Sequence, residues 1–311
     1  MTTETVVRPR PATADGAPPE QRHGTGLPAL GFLAPFLVLY LAFIIGPALY
    51  GLVMSFFDTS LVKPGLSGFA GFGNYTEALQ SSGFWSSLWH TVWFTVLTTP
   101  PLIVLAFVFA VLADRARRGR WFFRLAFFAP YILPSAVVAL IWIFIYTPGL
   151  GLIETGLGQL GITSPNWLGD PSWAMPSLAF TTIWWTLGFN FVLYLAGLQE
   201  IPRDLYEAAA MDGASPWQQI RKITIPMLGR TTTLVAVLQV IASLKVFDQM
   251  YIMTSGGPNF ATRSILEYVY DEGFTNFRVG YAAAVSMLFF LVVLLVSAVW
   301  FSLVRRQEKE V

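Results

Sequence analysis

The chain has 311 residues, 55% of them hydrophobic and 12% charged, a net charge of +1 and a mean hydropathy of +0.59. This composition excludes an ordinary soluble domain and makes a lipid bilayer the solvent. The absence of cysteine excludes disulfides and thiolate metal sites, the two isolated histidines, His23 and His90, form no metal-ligand set, and the near-neutral balance leaves no basic face for nucleic acid.

Residues 1–27 carry Pro9, Pro11, Pro18 and Pro19 among polar neighbours, too little apolar surface to fold, so a disordered tail is expected. It is too long and polar to open a cleaved signal peptide, and the apolar run after it exceeds a signal's core, so that run should stay in the membrane. A helix needs about 20 mainly apolar residues to cross the hydrocarbon. Charge-poor intervals of that length predict six spans in an all-α domain over residues 28–311: Leu30–Phe57, Ser86–Ala113, Trp121–Thr147, Trp173–Leu198, Met227–Met253 and Gly280–Val304. In the third, Tyr131, Pro134 and Ser135 read as a kink rather than a contact. In the fifth, Lys245 and Asp248 interrupt the apolar run.

Lys and Arg alternate between the two sides. Arg8, Arg10 and Arg22 lie in the tail, Arg115, Arg117, Arg118, Arg120 and Arg124 follow span two, Arg203, Arg221, Lys222 and Arg230 follow span four, and Arg305, Arg306 and Lys309 close the chain, against only Lys63, Arg263 and Arg278 on the other side. Cytoplasmic loops retain positive charge, so both termini and residues 201–226 are expected in the cytoplasm.

That segment is more elaborate than a plain connection. Pro202 suits a first helical turn, and Leu205, Ala208, Ala209 and Asp212 then recur at helical spacing until Gly213 ends the helix in the left-handed conformation that glycine tolerates. Ser215, Pro216 and Gln218 supply an N-cap, a proline at the first position and a capping-box partner. A second helix is expected there, with Trp217, Ile220 and Ile223 on one face, until Pro226 stops it. Two short helices hinged at a glycine suit docking of another protein, although Trp217 and the isoleucines equally suit the membrane interface.

Polar groups at bilayer depth are costly and usually face a bundle interior or a cavity. Asn190 lies beside Gly188 among Trp184, Trp185, Phe189 and Phe191, a mixture that fits a sugar's apolar faces and hydroxyls as well as an interfacial belt. Gln239 and Ser243 share a helical face, open either to a solute path or to hydrogen bonding with a neighbouring helix. Lys245 and Asp248, three apart, either neutralise each other or meet the substrate.

The hinge carries a family resemblance. Glu207-Ala208-Ala209, three residues, Gly213, nine residues and then Ile223-Thr224-Ile225-Pro226 resembles the cytoplasmic motif of permease subunits of binding-protein-dependent ABC importers, with Ile225 in place of leucine. Ile201-Pro202-Arg203-Asp204-Leu205-Tyr206 and Thr254-Ser255-Gly256-Gly257-Pro258 look like the sugar and glycerol-phosphate permeases, including the maltose-transporter type. The resemblance implies a maltose-permease type of transmembrane domain in a bacterial plasma membrane, and a coupling helix that seats on an ATP-hydrolysing subunit through Glu207, Ala208, Ala209, Asp212, Gly213, Ile223 and Pro226. It further implies a second homologous permease, two ATP-binding subunits that hold ATP and Mg, and an external solute-binding protein. The maltose-type permease contacts sugar at the positions of Phe191, Gln239, Ser243 and Val246, whose residue types this chain does not repeat.

No lysine follows a glycine, so the chain has no Walker phosphate loop and no cofactor of its own is expected. No nucleophile–base or metal constellation points to an enzyme. A sugar is the expected substrate, since Lys245 alone falls short of the fixed positive charge a glycerol-3-phosphate or glycerophosphodiester path calls for. An ion-coupled carrier using Lys245 and Asp248 is the rival from another class.

Overall fold

The computed structural model describes residues 26–63, 65–115 and 120–307. The predicted tail therefore lies outside the described residues except for its last two, as do Arg117, Arg118 and Lys309. Two compact units divide between Leu49 and Tyr50. The first contains α1 (Gly26–Tyr40), a π-turn (Leu41–Ile45) and the start of α2 (Gly46–Met54). At the π-turn the Gly46 N–H donates to the Leu41 carbonyl five residues back, next to Pro47, which has no N–H with which to continue the ordinary ladder. Its large apolar side chains lie open, Phe32 at 89% and Phe43 at 74% exposed, which fits a helix whose solvent is hydrocarbon.

The second unit holds α3 (Gly73–Gln80), α4 (Ser82–Arg115), α5 (Arg120–Ile132), α6 (Ser135–Tyr146), α7 (Leu152–Gln159), α8 (Pro171–Gln199), α9 (Arg203–Met211), α10 (Pro216–Gln219), α11 (Ile225–Met227), α12 (Gly229–Leu244), α13 (Asp248–Thr254), α14 (Ile265–Tyr270) and α15 (Val279–Gln307). Across the described residues, four helical stretches are long and apolar enough to cross a membrane, and two bent pairs bring the number to six when each pair is counted as one span. The all-α, six-span expectation holds in that form.

The bent pairs are where the sequence reading needs correction. Span three is a sharp break, not a kink: α5 and α6 meet at 97°, and Pro134 is extended (φ −58°, ψ 144°) as the cap of α6. Span five does not run to Met253. It leaves the helix after Leu244, Phe247 adopts φ −141° and ψ −63°, and α13 restarts at Asp248. Pro226 does not stop the preceding helix either. A second π-turn, Ile220–Thr224, lets the Ile225 N–H reach the Ile220 carbonyl ahead of the proline, and the 63° bend comes two residues later at Leu228.

The core lies between α4, α8 and α12, where Leu102, Phe191, Tyr194, Leu228 and Val235 are almost wholly buried. Several hydroxyls in the spans bond their own helix, as Thr98 does to the Phe94 carbonyl (2.9 Å) and Thr186 to that of Thr182 (2.8 Å), which satisfies a donor that hydrocarbon could not. Gly188 permits the close crossing of α8 with α5, since a Cβ there would fall on the Phe127 carbonyl and the Phe128 backbone. The 34-residue α4 is about 50 Å long at 1.5 Å per residue and separates two ends of the unit. At its start the Ser81 and Tyr268 hydroxyls hydrogen-bond at 3.1 Å. At its other end Arg115 donates to the Pro216 carbonyl at 3.3 Å.

Candidate functional site

A cavity of about 270 Å³ opens where α8, the end of α12 and the start of α13 face the α5–α6 break. Its polar wall comes from Gln239 and Ser243 on α12, Thr182 and Thr186 on α8, Gln249 on α13 and Ser135 on α6, and its aromatic wall from Tyr131, Trp185 and Phe189. The Tyr131 and Phe189 rings stack at 5.2 Å. Trp185 is held by donating Nε1–H to the Leu133 carbonyl, 3.1 Å, the group that the break after α5 frees. The break that bends span three thus supplies both the mouth and an anchor for its wall.

Of the residues expected on the path, Gln239, Ser243, Lys245, Val246 and Asp248 line this cavity. Asn190 stands behind it, fully buried, and donates to Gln239 Oε1 at 3.0 Å, fixing which end of that amide points inward. Phe191 does not line this cavity. It is fully buried and packs against Phe127 with ring centroids 5.2 Å apart, because residues two apart on a helix point about 200° apart and Phe189 takes the cavity position. Trp184 likewise turns away, edge-on to Trp142.

Lys245 and Asp248 both line the cavity, yet among the described residues no ion pair joins them. The spacing rule that predicted the pair requires continuous helix, and the chain is not helical between them. Asp248 Oδ2 accepts instead, at 3.0 Å, from Oγ of Ser135, the first residue of α6 after the break. The break also turns Gln249 inward. It is buried, its Oε1 accepts from the Thr182 hydroxyl, and its Nε2 has no partner. Neither Gln249 nor Thr182 was singled out by sequence, since Gln249 falls into phase only once α13 restarts. The 182, 186, 189 spacing on one face of α8 was the available signal.

At the far end of α12 lies the hinge. Gly213 takes φ +80° with nothing within 4 Å of where a Cβ would stand, and the Ser215–Gln218 capping box forms in both directions. Glu207, Ala208, Asp212, Gly213 and Pro226 are exposed, while Ala209 is half-buried. Ile220 and Ile223 pack on the core, whereas Trp217 leaves their face and is 68% exposed, with Met211 at 85%. A polar face crowned by exposed Met and Trp suits docking to a protein.

Residues 103–309 match the family described as "Binding-protein-dependent transport system inner membrane component". The chain is 32% identical over 285 residues, 92% of each chain, to the sulfoquinovosyl glycerol transport system permease protein SmoG of Agrobacterium fabrum. It is 34% identical over 270 residues to the trehalose/maltose transport system permease protein MalF of Thermococcus litoralis, covering 85% of this chain and 90% of that one. It is 34% identical over 280 residues to the sn-glycerol-3-phosphate transport system permease protein UgpA of Rhizobium meliloti, covering 88% and 94%. In fold it is similar, with a TM-score of 0.80 at 24% identity over 90% of this chain and 96% of the other, to a chain of a bacterial ABC transporter involved in the import of the acidic polysaccharide alginate.

Proposed function

The chain belongs to the family of inner membrane components of binding-protein-dependent transport systems, and we propose that it forms half of the path of an ATP-driven importer for a sugar or sugar derivative. The other parts are a second homologous permease, two ATP-binding subunits and an external solute-binding protein, with both termini of this chain cytoplasmic. The observation that carries this reading is the layout of α12: its last turns hold Gln239 and Ser243 in the cavity wall, and its first turn follows directly on the exposed hinge at residues 201–226. Closure of the ATPase subunits on ATP moves the hinge, and the cavity switches between outward and inward access in a two-state change.

The cavity chemistry supports a glycoside. Tyr131, Trp185 and Phe189 offer ring faces to apolar sugar surfaces, and the amides and hydroxyls offer donors and acceptors to its hydroxyls. Lys245, with no ion-pair partner among the described residues, favours a second reading in which the glycoside or glycerol moiety carries an anionic group. SmoG and UgpA are named for such substrates, which lends weight to it. Gly213→Trp tests the coupling. Tryptophan strains the left-handed backbone at Gly213 and, with nothing of this chain within 4 Å, projects its ring into the surface proposed to dock the ATPase, so the variant should reach the membrane and lose ATP-dependent uptake. Uptake at the parent's rate would remove the hinge from the mechanism. Uptake that ignores ATP depletion and collapses with the ion gradient would identify an ion-coupled carrier instead.

A further inference from the structure

The exposed helix α9 is poorly anchored for an element that is to transmit force. Arg203, Asp204, Leu205, Glu207, Ala208, Ala210 and Met211 are exposed. Gly213, at φ +80°, forms the pivot at its C-terminal end. Among the described residues α9 makes a single side-chain hydrogen bond to the rest of the chain: the Tyr206 hydroxyl meets Thr224 Oγ1 at 2.9 Å. Tyr206 is half-buried on the same core surface as Ile220 and Ile223, and Thr224 is only 2% exposed, so water competes weakly for the bond.

From Thr224 the connection to the cavity is continuous. Its carbonyl accepts from the Leu228 N–H at 3.0 Å, and the Leu228 carbonyl accepts from the Thr232 N–H at 2.8 Å in the first turn of α12. Leu228 is itself 1% exposed and part of the α4–α8–α12 core. The 16 residues of α12 then span about 24 Å to the turn that bears Gln239 and Ser243.

We infer that the Tyr206–Thr224 hydrogen bond is the strut that makes α9 and α12 move as one lever, so these two residues position the coupling segment without themselves touching nucleotide or substrate. This inference rests on the coupling role proposed above. Without the bond, α9 keeps its fold and its backbone connection through Glu200–Pro202, but its displacement is taken up at the Gly213 pivot rather than delivered to the cavity.

The absence of cysteine from the chain allows a direct test that needs no knowledge of the substrate. Ala242 lines the cavity on α12 and is exposed, so Ala242→Cys gives a single thiol whose labelling rate by a small maleimide reports cavity access. The full chain, purified with its ATPase partners, is labelled without nucleotide and with ATP plus vanadate, with ATP turnover measured alongside. In the Ala242→Cys parent, nucleotide should change the labelling rate. Added Tyr206→Phe should shrink that nucleotide response by about fivefold, the shift in equilibrium that one such hydrogen bond supports. Thr224→Val should do the same, and Thr224→Ser, which keeps the hydroxyl, should restore it. Full response in both Tyr206→Phe and Thr224→Val, or equal loss in Thr224→Ser and Thr224→Val, would overturn the strut. Labelling that ignores nucleotide in the Ala242→Cys parent would overturn the coupling reading itself.

Discussion

Gly188→Ala isolates the contact on which the cavity wall depends. The added methyl would fall on the Phe127 carbonyl oxygen and the Phe128 Cα, both backbone atoms, so no side chain can rotate away and α5 must move off α8. That motion carries Leu133 away from Trp185, whose Nε1–H it accepts at 3.1 Å, and parts Tyr131 from Phe189. Overpacking costs about 1–3 kcal/mol and the strained hydrogen bond about 1 kcal/mol more, while alanine gains about 1 kcal/mol over glycine in helix propensity. The net loss is about 1–3 kcal/mol, or several degrees in Tm at roughly 2–4 °C per kcal/mol. Gly51→Ala is the matched control, because it also lies within a helix and its Cβ would meet nothing within 4 Å, so only the propensity gain remains. The assay is thermal unfolding in detergent followed by tryptophan fluorescence, where loss of the Leu133 bond should also red-shift Trp185. A Gly188→Ala protein as stable as Gly51→Ala, with unshifted emission, would refute the reasoning.

Replacing Gln239 and Ser243 together with alanine should raise the half-saturation concentration for uptake about tenfold, two hydrogen bonds' worth, with assembly unchanged by size-exclusion chromatography; unaltered kinetics would move the site elsewhere. Because Lys245 and Asp248 are unpaired, a double-mutant cycle with Lys245→Met and Asp248→Asn should give a coupling energy under about 0.5 kcal/mol, and a coupling of a few kcal/mol would contradict the break between them. Glu267, outside the spans and 2% exposed, has one carboxylate oxygen without a partner, and burial, reinforced by Asp271, pushes its pKa up to about 7. Between the ordinary carboxylate range and about 7 the folded chain then holds more protons than the unfolded one, so this group's contribution to stability is present at low pH and lost as pH rises through about 7. The Tm should fall by a few degrees from about pH 6 to about pH 8, and fall less in Glu267→Gln; equal slopes would exclude Glu267 as the cause.

What the sequence revealed followed from local rules. Gly213, Ser215 and Gln218 act within a few residues of one another, so the left-handed pivot and the capping box were legible. The six apolar intervals were legible because the bilayer imposes their length. Interruptions were harder to place. Pro226 looked like a stop, yet a π-turn absorbs its missing N–H and moves the bend to Leu228. Lys245 and Asp248 looked like an i, i+3 pair because nothing local announces that Phe247 leaves the helix. That one break rephases α13, separates the charges and turns Gln249 inward. The substitution of Phe189 for Phe191 in the cavity wall has another origin: which side of α8 faces the core is decided by the close approach of α5 at Gly188, a contact between helices distant in sequence.

We propose that this chain is driven by an ATPase carried on another polypeptide. Purification of the tagged full-length chain from native membranes in mild detergent, with identification of what accompanies it, tests that claim most directly. The expected result is a stoichiometric Walker-motif ATPase together with a second permease. A stable homo-oligomer with no ATPase in any preparation would contradict it.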